Sequence, residues 1–298
     1  MTNLRGSLHI TISSHPLLST QLTGLSGRSY TIEHVLQEEV SPPRQVYRAS
    51  AGDDRFILKY IHPVNFEYLE DLNNRLRGNA NHVRLAVDNI PDKSMFVFEH
   101  FTGHLLTLAQ KDLPLAVVKR ILKTALTGLA ELHDQDIVYT DIKADNVFIN
   151  WQDQNDEILV TEVQLGDLED AAHIPRVTTW SPEAHARGPV NKPSDIFSFA
   201  ILCIYAVHKR VIFARQISYF AELDDLNGFL KHLGDNPWTH VFQVTRDGFN
   251  KETPRAPFKY WEGVDDDFKD LVCAMTRFDP GKRITARQAL EHKWFEGV

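Results

Sequence analysis

The chain has 298 residues, 43% hydrophobic and 24% charged, with a formal net charge of -8 at pH 7. That composition belongs to an ordinary globular protein rather than a disordered or fibrous one, and the length suits two domains at about 150 residues each. The negative charge argues against nucleic acid or an anionic membrane as the main partner, since either calls for a basic face.

The longest apolar run, Phe199 to Val207, is about half of the ~20 residues a bilayer requires, so no membrane span is expected. Both cysteines, Cys203 and Cys273, lie in apolar, helix-like runs. Buried free thiols in a reducing compartment are therefore expected in place of a disulfide. The first thirty residues contain Arg5, Arg28, several serines and no acidic residue, a composition that faintly resembles an organelle transit peptide. A short irregular extension over residues 1–29 is the simpler expectation, in a soluble intracellular protein, cytoplasmic or nuclear.

From Tyr30 onward strand signals dominate. Val46 to Ala49 and Arg55 to Ile61 are β-rich runs separated by Ala51-Gly52-Asp53-Asp54, a hairpin turn. Asn65 to Arg77 places Phe66, Leu69, Leu72 and Leu76 at three- and four-residue steps and predicts a helix. Two further strands are expected around Val83 to Leu85 and Met95 to Phe98. After Thr102-Gly103 the pattern becomes helical. Pro114 to His133 predicts a long amphipathic helix with proline at its start. Asp195 to His208 is apolar nearly all round and should be a buried central helix. Asp265 to Thr276 and Thr285 to His292 predict closing helices, and the polar run Trp151 to Glu157 predicts a long hairpin turn.

The segment Ile137 to Ile149 carries Asp141, Lys143 and Asn146 within six residues, and an acidic cluster with Asp167, Glu169 and Asp170 follows about twenty residues after Asn146. A carboxylate, an amine and an amide on one short loop, with a second carboxylate one hairpin away, can position a nucleophilic hydroxyl and hold Mg²⁺ on a nucleoside triphosphate. On its own the D-x-K-x-x-N spacing is a weak signal; the order of motifs around it is informative. Tyr139-Thr140-Asp141 is followed by Asp167-Leu168-Glu169, Ser181-Pro182-Glu183, Lys192 to Phe199, Phe278 to Arg283 and His292-Lys293-Trp294-Phe295.

In that order these motifs resemble the eukaryotic protein kinases, over roughly residues 30 to 298. The resemblance implies an α+β, bilobal protein kinase-like fold. A small antiparallel β-sheet lobe with one helix would occupy 30–101 and a larger, mainly helical lobe 102–298. It implies a monomer acting on a protein substrate or engaging a protein partner, with ATP and Mg²⁺ as cofactors. Asp141 would orient the substrate hydroxyl and accept its proton, and Lys143, placed as in serine/threonine-type enzymes, would offset the charge of the transferring phosphoryl group. Asn146 and Asp167 would hold Mg²⁺. Lys59 would grip the α- and β-phosphates with an acidic partner from the following helix, Glu70 or Glu67, of which Glu70 is chosen. Val46, Ile57, Glu99, Phe101 and Phe148 would line the nucleotide slot, and Glu183 with Arg283 would form a structural ion pair.

Four departures stand out. Glu38 to Gln45 contains two prolines and no glycine where the family has a glycine-rich, phosphate-covering loop. Ile57 and Phe148 are bulkier than the alanine and leucine that flank the family's purine. Thr140 replaces the arginine that pairs with a phosphorylated activation loop, so such phosphorylation would find no partner. Glu169 replaces a glycine in a short segment, making Thr178 and Thr179 packing or substrate-platform residues. Two readings follow: a divergent kinase without loop-phosphorylation control, and a pseudokinase scaffold with weak or no ATP binding. A small-molecule phosphotransferase of the aminoglycoside kind shares the Asp-to-Asn loop but not the later motifs.

Overall fold

Alternation of apolar side chains builds the first part of the protein. In a computed structural model describing residues 21–41, 43–154, 157–172, 181–209 and 216–298, the chain divides into two units, Met1–Phe66 with Ala86–His100 and Glu67–Leu85 with Phe101–Val298. The smaller unit is an antiparallel sheet. Its strands are β1 (Gln21–Thr23), β2 (Ser29–Val40), β3 (Pro43–Ala51), β4 (Asp54–Tyr60), β5 (Asp88–Ile90) and β6 (Met95–Glu99), in spatial order β1-β2-β3-β4-β6-β5.

Tyr30, Ile32, Ala49, Phe56, Leu58, Ile90, Met95 and Val97 fill one face of this sheet. Tyr30 and Phe56 meet edge to face at 5.2 Å, a geometry favoured by the ring quadrupoles. Gly24, at the turn after β1, approaches Asp88 so closely that an added Cβ would lie 2.0 Å from its carboxylate. Asp88 in turn accepts from Ser26 N (3.1 Å) and the Tyr30 hydroxyl (2.9 Å), which secures the β1 turn. Gln21–Thr23 is therefore strand, inside the stretch expected to be irregular, because Leu22 packs against the core.

The larger unit takes up helix α1 (Pro63–Leu76) from Glu67 onward, with Leu69, Leu72 and Leu76 buried as their spacing predicts. Val83 to Leu85 is not a strand. Among the described residues it makes one isolated parallel bridge, Val83 to Leu165, and the strand that the smaller unit's sheet uses is β5. A second sheet joins β7 (Gly103–His104), β8 (Val147–Gln154) and β9 (Glu157–Leu165). Pairing continues to Gln154–Glu157, so Trp151 to Gln154 is strand rather than turn; Gln152, Asp153 and Gln154 are exposed, and their polarity alone misread them.

The helices are α2 (Leu105–Leu108), α3 (Leu115–Asp134), α4 (Pro182–His185), α5 (Lys192–His208), α6 (Gln216–Phe220), α7 (Leu223–Leu233), α8 (Trp238–Asp247), α9 (Asp266–Met275) and α10 (Ala286–Leu290). Helix α5 is the central element, with Ile196 to Ile204 all buried, and Asn191 with Ser194 closes its amino terminus in a capping box. Rings of Phe197, Phe229 and Phe242 surround Phe278 at 5.4–6.4 Å. Cys203 and Cys273 are free. Burial pushes both thiols up, Cys273 to about 11. A sheet-based unit and a mainly helical unit make the α+β organisation that was expected. Among the described residues no helix is long and apolar enough to cross a membrane. Thr178, Thr179 and residues 1–20 lie outside the described residues.

Candidate active site

The site begins where α3 ends. The chain turns back through the buried residues Ile137, Val138 and Tyr139 and reaches Thr140 with φ 68°. A β-branched residue in the left-handed region costs about 1–2 kcal/mol, so something must hold it there. Asp195, in the first turn of α5 and fully buried, does so. Its Oδ1 accepts the Thr140 N–H at 2.8 Å, and its Oδ2 accepts the Tyr139 N–H at 2.8 Å and His133 Nε2–H at 3.0 Å. The Thr140 hydroxyl donates to the Asp170 carbonyl at 2.9 Å. The resulting turn presents the next residue, Asp141.

Asp141 Oδ2 receives the Lys143 ammonium at 2.7 Å and the Asn146 side-chain amide at 2.9 Å. The same Asn146 nitrogen also donates to the Asp141 carbonyl at 2.9 Å. Burial works to lower the Lys143 pKa, but the hydrogen bond and charge of Asp141, with Asp145 and Asp167 further off, outweigh it and the net direction is up. Lys143 is thus a permanent cation beside this carboxylate. Because the nitrogen of Asn146 is committed to Asp141, its oxygen is turned the other way.

Asp167 is brought to the same place by the β8–β9 ladder. Val147 pairs with Leu165, and Gly166 N–H donates to the Asn146 carbonyl at 2.9 Å. The Tyr139 hydroxyl donates to the Gly166 carbonyl. Burial first, then the charges of Asp167 and Asp141, hold the Tyr139 hydroxyl well above the usual tyrosine range, so it remains a neutral donor. Asp167 itself has φ 63°, a conformation that Asp tolerates better than most residues. Asp141, Lys143, Asn146 and Asp167 therefore converge, with three of them joined by direct hydrogen bonds.

Phe148, on β8, has the Arg84 guanidinium over its ring at 4.3 Å and Phe101 at 6.1 Å. Phe101 is buried. Gly166 leaves room for the Phe148 ring; a Cβ there would lie 2.7 Å from it.

In the smaller unit, Val46 is in register with Lys59, and Ile57 lies two residues before Lys59 on β4. Strand alternation puts all three side chains on one face of the sheet, together with Phe96. Glu99 is exposed, in register with Phe56, and alternation puts it on the opposite face. Across the paired ends of β2 and β3, Glu39 is in register with Arg44 and Glu38 with Gln45. On α1, Glu70 is half-buried and Glu67 exposed.

The expected Glu183–Arg283 pair is present and two-pronged, at 2.5 and 2.8 Å, with both side chains buried. Burial pushes the Glu183 carboxyl up, but the charge and hydrogen bonds of Arg283 push harder and hold it below the usual glutamate range.

Among the described residues no three His, Cys, Asp or Glu side chains cluster as a metal cage. Mg²⁺ does not need one, because it takes one or two carboxylates alongside phosphate and water. The amide oxygen of Asn146 and the carboxylate of Asp167 are hard-oxygen donors of the right kind. Sequence reasoning missed the residues that arrange these groups: the Thr140 turn, the hydroxyl of Tyr139 and the cation behind Phe148. For Arg84 there was no signal, since a lone arginine in an apolar stretch does not announce a ring contact.

Residues 79–295 match the protein kinase domain family. The chain is 27% identical over 212 residues to cyclin-dependent kinase 4 of Xenopus laevis, which covers 68% of this chain and 65% of that one. It is 24% identical over 181 residues to calcium/calmodulin-dependent protein kinase cmkB of Emericella nidulans, 58% of this chain and 39% of that one. The matched stretch is thus less than two thirds of either relative's length. The family match begins after the strands that carry Val46, Ile57 and Lys59, where the glycine-free hairpin lies.

Proposed function

This chain belongs to the protein kinase family, and on that premise we propose that it transfers the γ-phosphate of ATP to a serine or threonine hydroxyl of a protein. The observation that carries the reading is the carboxylate of Asp141, held by Lys143 at 2.7 Å and Asn146 at 2.9 Å. A substrate hydroxyl hydrogen-bonded to Asp141 is oriented for in-line attack and gives up its proton to that carboxylate as its oxygen bonds to the γ-phosphorus and the bond from that phosphorus to the bridging oxygen breaks, releasing ADP. Lys143 offsets charge on the transferring group. Asn146 and Asp167 would hold Mg²⁺, which when bound neutralises charge on the β- and γ-phosphates. Lys59 serves the α- and β-phosphates, with Glu70 as its acidic partner on α1. Val46, Ile57, Phe101 and Phe148 supply apolar surface for the purine, and Glu99 contributes through its main chain.

Control by phosphorylation after Asp167 is absent in this reading. Position 140 carries a hydroxyl already engaged with the Asp170 carbonyl, and a hydroxyl offers a phosphate no cationic partner. The protein acts as a soluble monomer inside the cell, with its substrate as its main partner.

The test is a thermal shift with MgATP followed by label transfer. Nucleotide at a hundredfold excess over Kd stabilises a fold by about 2.7 kcal/mol, a rise of several degrees, and Asp167→Ala abolishes it. Transfer of labelled phosphate to a generic acceptor protein disappears in Asp141→Asn while nucleotide binding persists. A second reading, a scaffold without turnover, is favoured by the hairpin of Glu38 to Gln45. Prolines remove amide donors there, and Glu39 is in register with Arg44, which sets a carboxylate beside that cation. Silence of the wild-type chain to MgATP would leave this reading standing alone.

A further inference from the structure

Thr140 occupies a backbone conformation that a β-branched residue rarely adopts, with φ 68°. Glycine or asparagine would enter it with less strain, so the threonine needs a reason of its own. Its hydroxyl donates to the carbonyl of Asp170. That bond joins the residue immediately before Asp141 to the stretch immediately after Asp167.

The stretch is held elsewhere by other groups. At one end the Tyr139 hydroxyl reaches the Gly166 carbonyl. At the other, Ala172 exchanges two main-chain hydrogen bonds with Val138 at 3.0 and 3.2 Å, and the Tyr68 hydroxyl donates to the Ala171 carbonyl at 3.2 Å. Between these anchors the chain carries Asp167 in its own left-handed conformation. The Thr140 hydroxyl reaches it from the catalytic loop.

Resting on the function proposed above, we infer that Thr140 is a positioning residue whose hydroxyl keeps the Asp167 carboxylate in register with Asp141. A neutral hydroxyl performs this without any modification of the protein. Because both ends of the stretch keep their own hydrogen bonds, loss of the hydroxyl should loosen residues 167–170 and leave the fold intact.

Two variants test this. Thr140→Val preserves shape and branching but removes the donor; Thr140→Ser preserves the donor. Amide exchange in peptides covering residues 166–172 should quicken about five- to tenfold in Thr140→Val, the equivalent of one neutral hydrogen bond. The Mg²⁺ concentration giving half-maximal phosphate transfer should rise by a similar factor with little change in the plateau rate, and Thr140→Ser should behave as wild type in both. Thr140→Ala replaces the valine variant if the latter does not fold. Unchanged exchange in Thr140→Val, or a serine variant as impaired as valine, overturns the proposal. So does faster exchange with an unchanged Mg²⁺ requirement. If wild type binds no MgATP, the catalytic reading fails by itself; exchange needs no nucleotide, and rates equal to wild type then overturn the tether separately.

Discussion

Replacing Asp195 by alanine removes the acceptor on which the turn that presents Asp141 is built. The side chain has no solvent exposure and takes hydrogen bonds from Tyr139 N, Thr140 N and His133 Nε2 at 2.8, 2.8 and 3.0 Å. Each buried donor left without a partner costs about 1–3 kcal/mol, so three of them give an upper range near 9. Two effects reduce it. The left-handed conformation of Thr140 stores about 1–2 kcal/mol, which the turn releases once its N–H is let go. A water in the vacated volume satisfies some donors. The expected loss is therefore about 3–5 kcal/mol, large beside the 5–15 kcal/mol of a typical domain. Urea unfolding followed by tryptophan fluorescence measures it, and Asp195→Asn, which keeps one acceptor oxygen, should lose about half as much. A loss below about 1 kcal/mol in Asp195→Ala would mean that the turn holds itself, and the account of Thr140 as a clamped, strained residue would have to be withdrawn.

Two further outcomes are expected. Gly166→Ala drives a Cβ to 2.7 Å from the Phe148 ring and 3.1 Å from Arg84 Cβ; overpacking of this kind costs about 1–3 kcal/mol, read as a lower thermal midpoint, and Gly166→Ala combined with Phe148→Leu should recover most of it. The Glu183–Arg283 pair has a pH signature. Because the folded carboxyl is held below its usual range, the stability it contributes is complete above the unfolded glutamate pKa and drains away as pH falls through the lowered folded value. In Arg283→Met the buried carboxyl keeps only its desolvation, so its pKa rises. The destabilisation, about 3–5 kcal/mol near neutrality, should then shrink toward about pH 4 as the carboxyl takes up a proton. Unfolding midpoints at the two pH values check the sign; a loss that grows on acidification would refute it.

The helices were legible because they carry their own period. Leu69, Leu72 and Leu76 on α1 and the all-round apolar α5 bury the faces that their spacing dictates. Pro114 marks the start of α3 through local chemistry that needs no distant partner, whereas α5 begins at Lys192, three residues before the expected Asp195. The strands were less legible where polarity and pairing disagree. Trp151 to Gln154 is polar yet fully paired, and Val83 to Leu85, apolar at both ends, forms only an isolated bridge among the described residues. Pairing depends on a neighbour that sequence distance does not reveal.

The amino acids alone determined which groups this protein can bring to the phosphoryl transfer proposed for it. Asp141, Lys143 and Asn146 are so close along the chain that any turn brings them together, and their chemical types decide what they can bind. Only the tertiary structure decided how they are aimed. Asp195 is more than fifty residues from the turn it clamps, and the Asp170 carbonyl that Thr140 holds is thirty away. Bonds of that kind exist only after the helices have packed, because a buried carboxylate can organise distant N–H groups only once water has been excluded from around it.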